Sequence, residues 1–253
     1  MKRSFMSLAA AAAATFASGA AAAREAPPTK NVILVHGAAM DGSSWRKVYD
    51  ILTRKHYNVS VVQLPLTGLD ADIAATRQII ERQNGPVVLV GHSYGGAVIT
   101  AAGTDAKVKS LVYVAAVQPD AGETVGELNA RWPLPSHLMM VDDTSLIVEP
   151  AMFQQDVAGD LPASEARYLA SAQRPTPVAA FGTRVPNAAW HTKPSFGIVA
   201  QDDRTLSPEM LRTLYRRSHT VTLELPGSHL IQMSKPRKVA AVIVQASKIG
   251  GDH

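Results

Sequence analysis

Three distant stretches of this chain hold side chains that can act together as a nucleophile, a base and an acid. The first is Val87 to Val98, where Gly91-His92-Ser93-Tyr94-Gly95-Gly96 follows four apolar residues and precedes another apolar segment. A serine at the bend between a buried strand and a helix sits in a strained backbone conformation, with its side chain projecting outward. Its neighbours two positions away must be small, because strand and helix nearly touch there, and Gly91 and Gly95 are. Ser93 is therefore the candidate nucleophile. A serine hydroxyl is weak by itself, so a base must accompany it.

Eight histidines compete for that role. His253 is terminal, and His56, His137, His191 and His219 have no strand end behind them and read as surface or packing residues. His36 ends an apolar run beside Gly37. His92 adjoins the nucleophile, but its side chain should point the other way and pack behind the bend. His229, in Pro226-Gly227-Ser228-His229, lies just past an apolar run and before a helix, where a loop can carry an imidazole over Ser93. The base needs a carboxylate to fix its tautomer and stabilise its cation. Gln201-Asp202-Asp203-Arg204 offers two, Asp202 and Asp203, at another strand end. An acyl-transfer site also needs two backbone N–H donors for the oxyanion. Tyr94, after the nucleophile, supplies one. The loop His36-Gly37-Ala38-Ala39 supplies the other, with Ala38 the expected donor and Gly37 leaving room for a substrate carbonyl.

Such groups meet only if elements place them at one rim. Buried runs at 31–36, 59–64, 86–90, 108–115, 195–200 and 220–225 read as six strands. Between them lie helical stripes: Trp45, Val48, Tyr49 and Leu52, capped by Ser43 or Ser44; Leu69, Ile73, Thr76 and Ile80; 96–102; Leu211, Leu214 and Tyr215 after Ser207-Pro208; and Val239, Val242 and Ile243 after a Ser234 cap. Alternating strand and helix predicts an α/β fold: a mostly parallel sheet of about six strands with helices on both faces. Ligands in such folds sit beyond the carboxyl ends of the strands, where Ser93 lies. Residues 118 to about 192 break the alternation. They show no clear strand and one good helix, around Pro162 to Ala172, and read as a helical cap inserted over the sheet edge. Apolar cap residues Trp132, Leu134, Met139, Met140, Phe153, Phe181 and Trp190 would line a substrate pocket, with Gly37 on the sheet side.

The chain has 253 residues, 46% hydrophobic and 18% charged, which suits one domain with a substantial core. It has no cysteine, which excludes thiolate catalysis, disulfides and cysteine–zinc sites. Lys2-Arg3 followed by an alanine-rich run to Ala23 reads as a secretory signal peptide over residues 1–23. The expectation is export to the periplasm or medium, one folded domain over 24–253 with the cap inserted at about 118–192, and no stable membrane span after cleavage. Cleavage would leave 23 basic against 21 acidic residues, so the formal +4 of the full chain gives no argument for nucleic acid as a partner.

His36-Gly37, Gly91-His92-Ser93-Tyr94-Gly95-Gly96, Asp203-Arg204-Thr205 and Gly227-Ser228-His229 together resemble the α/β-hydrolase superfamily, across almost all of the mature chain. Within it the chain is similar to small bacterial esterases related to plant methylesterases and hydroxynitrile lyases. In that group the acid lies five residues before a helix-starting proline. Asp203 is five before Pro208, which favours it over Asp202. The lyases carry a threonine where this chain has Gly37 and, in one branch, a lysine where it has Leu230, so the departures favour hydrolysis. The resemblance implies hydrolysis through an acyl-enzyme, which needs no metal or organic cofactor, and the apolar cap, without a charged cluster, fits small to medium, neutral, fairly hydrophobic carboxylic esters. The rival readings are a lyase or cofactor-free enzyme on the same scaffold, a lipase or amidase, and a non-catalytic ligand-binding protein.

Overall fold

The computed structural model describes residues 29–249; the expected signal segment 1–23 lies outside the described residues. Six strands form one parallel sheet: β1 (Asn31–Val35), β2 (Asn58–Val62), β3 (Val87–Ser93), β4 (Val108–Ala116), β8 (Ser195–Ala200) and β9 (Val221–Leu225), in the order β2-β1-β3-β4-β8-β9. β5 to β7 belong to the segment between β4 and β8 and are described below. The chain runs outward from β1 to β2, then returns to build β3 on the other side of β1. That reversal opens a crevice at the carboxyl ends of β1 and β3. His36 follows β1 and Ser93 ends β3, so the topology alone brings these two stretches together.

Strand periodicity divides the core into two layers. Ile33, Val35, Val87 and Leu89 face one layer, with α2 (Leu69–Glu81), α3 (Gly95–Ala102) and α8 (Pro208–Arg217) packed on it. Val32, Leu34, Val88 and Val90 face the other, with α1 (Arg46–Arg54) and α10 (Pro236–Ala246). Burying each of these aliphatic side chains contributes about 1.5–3 kcal/mol. Strands buried on both faces must read as continuous apolar runs, which is how the sequence shows them.

Two helix caps differ from expectation. Asp41, not Ser43 or Ser44, caps the 3-10 turn Gly42–Trp45 that leads into α1, accepting the Ser43 N–H at 2.7 Å. Ser234 ends the short helix α9 (Ile231–Ser234); α10 starts at Pro236 with no side-chain cap. Ser207 caps α8 as expected, accepting the Met210 N–H.

The segment between β4 and β8 is not purely helical. It contains α4 (Val125–Arg131), β5 (Leu138–Met140), β6 (Ser145–Val148), α5 (Phe153–Asp156), α6 (Ala163–Ser171), β7 (Thr176–Pro177) and α7 (Val178–Gly182). β5, β6 and β7 form an antiparallel sheet where no strand was expected. These strands are two to four residues long, and β5 is exposed throughout, so neither an apolar run nor alternation marks them. Phe153, Val157, Leu161 and Leu169 give this cap a small core that also takes in Met40, Leu230 and Met233 from the sheet side. No helix among the described residues is long and apolar enough to cross a membrane.

Candidate active site

β3 turns into α3 so tightly that Ser93 takes a φ of 54°, a left-handed conformation that non-glycine residues rarely adopt. The surrounding glycines are steric requirements. A Cβ on Gly91 would stand 2.6 Å from the Gly95 carbonyl oxygen, and one on Gly96 would stand 2.0 Å from the Val117 carbonyl oxygen. The third glycine, Gly95, lies against the His36 carbonyl. Ser93 is thus held at the end of β3 by contacts that admit no side chain on either side.

The loop after β9 presents His229 to it. Asp202 accepts the Gly227 N–H at 3.0 Å, and the Asp202 N–H donates to the Gly227 carbonyl at 3.0 Å, so the acidic loop and the histidine loop are tied together. Ser228 donates from its hydroxyl to Asp160 of the cap. His229 Nε2 lies 2.8 Å from Ser93 Oγ, and its Nδ1 lies 2.8 Å from Asp203 Oδ2. A carboxylate can only accept, so Nδ1 carries the proton and the Nε2 lone pair receives the serine hydroxyl. The second oxygen of Asp203 accepts the Thr205 and Leu206 N–H groups at 2.8 and 2.9 Å, which fixes the carboxylate plane. Of the two acidic candidates, Asp203 faces the histidine and Asp202 holds the loop.

His92 packs behind the bend, as its position implied. It is buried, its Nε2–H donates to the His229 carbonyl at 3.0 Å, and the two rings lie 4.7 Å apart. Burial first, and then the neighbouring His229, push its pKa well below the ordinary histidine value. His92 is therefore a neutral donor that steadies the His229 main chain.

The loop after β1, which carries the expected oxyanion donor Ala38, is held from two directions. His36 Nδ1–H donates to the Gly37 carbonyl at 2.8 Å, and its Nε2 accepts the Leu64 N–H at 3.0 Å. Burial holds its pKa down to about 4, so it is neutral near pH 7. The cap holds the other side. Ala39 donates its N–H to Thr176 Oγ1 at 3.0 Å and accepts the Arg174 N–H at 3.1 Å, at a φ of 58°. The Arg174 guanidinium also binds the Leu64 and Pro65 carbonyls. Ala38 lies between these two anchorages and, like Tyr94, borders the cavity beside Ser93. Among the described residues, neither amide N–H donates to a loop or side-chain acceptor. The Tyr94 hydroxyl donates to the buried Asp72 at 2.8 Å, anchoring the turn that bears the second amide.

A cavity of about 470 Å³ opens over Ser93 and His229 between sheet and cap. Trp132, Leu134, Phe153 and Phe181 border it, as expected from their apolar character. Four expected residues, Met139, Met140, Trp190 and Gly37, do not. Met139 sits on β5 next to Leu138, which borders the cavity, so strand alternation sends Met139 to the other side, where it is 40% exposed. Met140 is likewise exposed. Trp190 packs into the core, with its Nε1–H donating to the Pro119 carbonyl at 2.8 Å and the Arg217 guanidinium over its ring. Gly37 lies against Ser93 rather than on the wall, since a Cβ there would stand 2.8 Å from Ser93 Cβ. Conversely, His137 borders the cavity together with its partner Asp156, although sequence spacing placed it at the surface or in packing.

The alpha/beta hydrolase family model matches residues 32–242. The chain belongs to the α/β-hydrolase family. The hydrolase is 26% identical to Methylesterase 8 of Arabidopsis thaliana over 233 residues, covering 82% of this chain and 86% of that one. It is 24% identical to Salicylic acid-binding protein 2 of Nicotiana tabacum over 252 residues, with 85% and 96% covered. A pyrethroid hydrolase from Sphingobium faniae JZ-2 superposes with a TM-score of 0.73 at 23% identity, over 89% of this chain and all of that one, which shows the shared fold. The hydrolase is thus related to the plant methylesterases.

Proposed function

We propose that this hydrolase cleaves small to medium, neutral, fairly hydrophobic carboxylic esters through a Ser93 acyl-enzyme. The observation that carries the reading is His229, whose two ring nitrogens lie 2.8 Å from Ser93 Oγ and 2.8 Å from Asp203 Oδ2. His229 takes the proton of Ser93 as Oγ attacks the ester carbonyl. The Ala38 and Tyr94 amides receive the developing oxyanion, a contribution of about 10²–10³ in rate per donor. Asp203 stabilises the imidazolium so formed. His229 then gives its proton to the departing alcohol, water attacks the acyl-enzyme by the same route, and Ser93 is regenerated.

The kinship with Methylesterase 8 and the likeness to the pyrethroid hydrolase support ester cleavage. The apolar cavity wall supports a neutral substrate. Gly37 and Leu230, where the lyases of the resembling group carry other residues, support hydrolysis over cyanohydrin cleavage. Export from the cell rests on the sequence of residues 1–23. The test is turnover of an ester panel graded by acyl length and alcohol size, beside a cyanohydrin, by wild type and Ser93→Ala. Ester turnover lost in Ser93→Ala with the fold retained supports the reading. Cyanohydrin cleavage without ester turnover would replace it.

A further inference from the structure

The cavity contains a second histidine–aspartate pair, on the cap. His137 Nδ1 lies 2.7 Å from Asp156 Oδ2, and both residues border the space over Ser93. It differs from an ordinary surface pair. The Asp156 side chain is only 8% exposed, while that of His137 is 37% exposed. Both partners are held by their main chains. The His137 carbonyl accepts the Glu149 N–H at 2.8 Å. The Asp156 carbonyl accepts the Thr205 hydroxyl at 2.9 Å, which ties the pair to the loop bearing Asp203. The ring therefore has a set position relative to the candidate triad.

With Nδ1–H given to a carboxylate, the other nitrogen of a neutral imidazole is an acceptor. His137 Nε2 has no protein partner among the described residues. A preorganised acceptor on an otherwise mainly apolar wall is the arrangement that orients a ligand by one polar group. Resting on the esterase reading above, we propose that His137, oriented by Asp156, reads a hydroxyl group carried by the substrate away from the scissile ester bond. The substrate class narrows to hydroxy esters, with an alcoholic or phenolic hydroxyl, whose remaining surface is apolar.

The experiment compares three esters of matched shape that differ at one position: hydroxyl, methoxy and hydrogen. Each is assayed with wild type, His137→Leu and His137→Gln, after circular dichroism has shown that the variants fold. Wild type should prefer the hydroxy ester over both others by about tenfold in kcat/KM, the worth of roughly one hydrogen bond. His137→Leu should lose that preference, mainly through a raised KM for the hydroxy ester. His137→Gln, whose amide oxygen still accepts, should recover part of it. Equal treatment of the three esters by wild type, or an equal loss on all three in His137→Leu, overturns this inference and leaves the esterase reading standing. Failure of wild type to turn over any ester overturns both.

Discussion

Ala39, in the loop after β1, donates its N–H to Thr176 Oγ1 of the cap at 3.0 Å. The residue next to the expected oxyanion donor Ala38 is thus held by a side chain 137 positions away. The cap is therefore part of the site's frame as well as its roof. Thr176→Val keeps the shape and removes the acceptor. It should cost about 1–3 kcal/mol for the unpaired buried N–H. It should also lower kcat severalfold to tenfold with KM little changed, because oxyanion geometry matters most in the transition state. Urea denaturation and steady-state ester kinetics measure the two effects. An unaltered kcat would disconnect the cap from the oxyanion loop.

Asp202 and Asp203 are neighbours with different work. Asp203→Asn should lower kcat by up to about 10⁴, since an amide in that place favours the wrong histidine tautomer. Asp202→Asn keeps an oxygen for the Gly227 N–H and should cost less than tenfold. The two single variants, assayed on one ester, decide the assignment. A larger loss at Asp202 would reverse it.

Stability should fall on mild acidification. His36 is held down to about 4 by burial, against 6.5 in the unfolded chain. Between those values the unfolded chain binds a proton that the folded one refuses. Stability is full above pH 6.5 and declines as pH drops toward 4, by roughly 3 kcal/mol from this group. His92, also pushed down, acts in the same direction. The urea midpoint should fall steadily from pH 7 to pH 4.5. A midpoint that stays level or rises over that range contradicts a buried, neutral His36.

Gly96→Ala tests the elbow sterically. Its new methyl would stand 2.0 Å from the Val117 carbonyl oxygen, and backbone cannot yield as a side-chain tip can. Overpacking of this kind costs about 1–3 kcal/mol or more. The thermal midpoint should drop by several degrees and ester turnover with it. Wild-type stability in the variant would mean that α3 does not approach Val117 so closely.

Much of this arrangement could be read from local pattern. The strands of the main sheet announce themselves because β1 and β3 are buried on both faces, leaving unbroken apolar runs. The elbow is legible because its geometry demands glycine at fixed offsets from Ser93. Asp203 required more, since Asp202 stands beside it and only its distance to Pro208 separated them. The cap resisted reading for a physical reason. Its strands are too short for periodicity, and its polar contacts join residues far apart in irregular chain. His137 lies 19 residues from Asp156, and Arg174 lies 110 from Leu64, whose carbonyl it binds. Trp190 misled because an aromatic residue in an insertion says nothing about which way its ring turns. Here the ring turns into the core, where its N–H finds the Pro119 carbonyl.

The claim on which the rest depends is that His229 makes the Ser93 hydroxyl a nucleophile. Incubation with a fluorophosphonate, followed by mass spectrometry of the digested protein, tests it directly. One adduct should form per chain, on the peptide bearing Ser93, with ester turnover lost in step. The adduct should be absent from Ser93→Ala and should form at least a thousandfold more slowly in His229→Ala. An unlabelled Ser93 in a protein that still cleaves esters, or labelling as fast in His229→Ala as in wild type, would contradict the account.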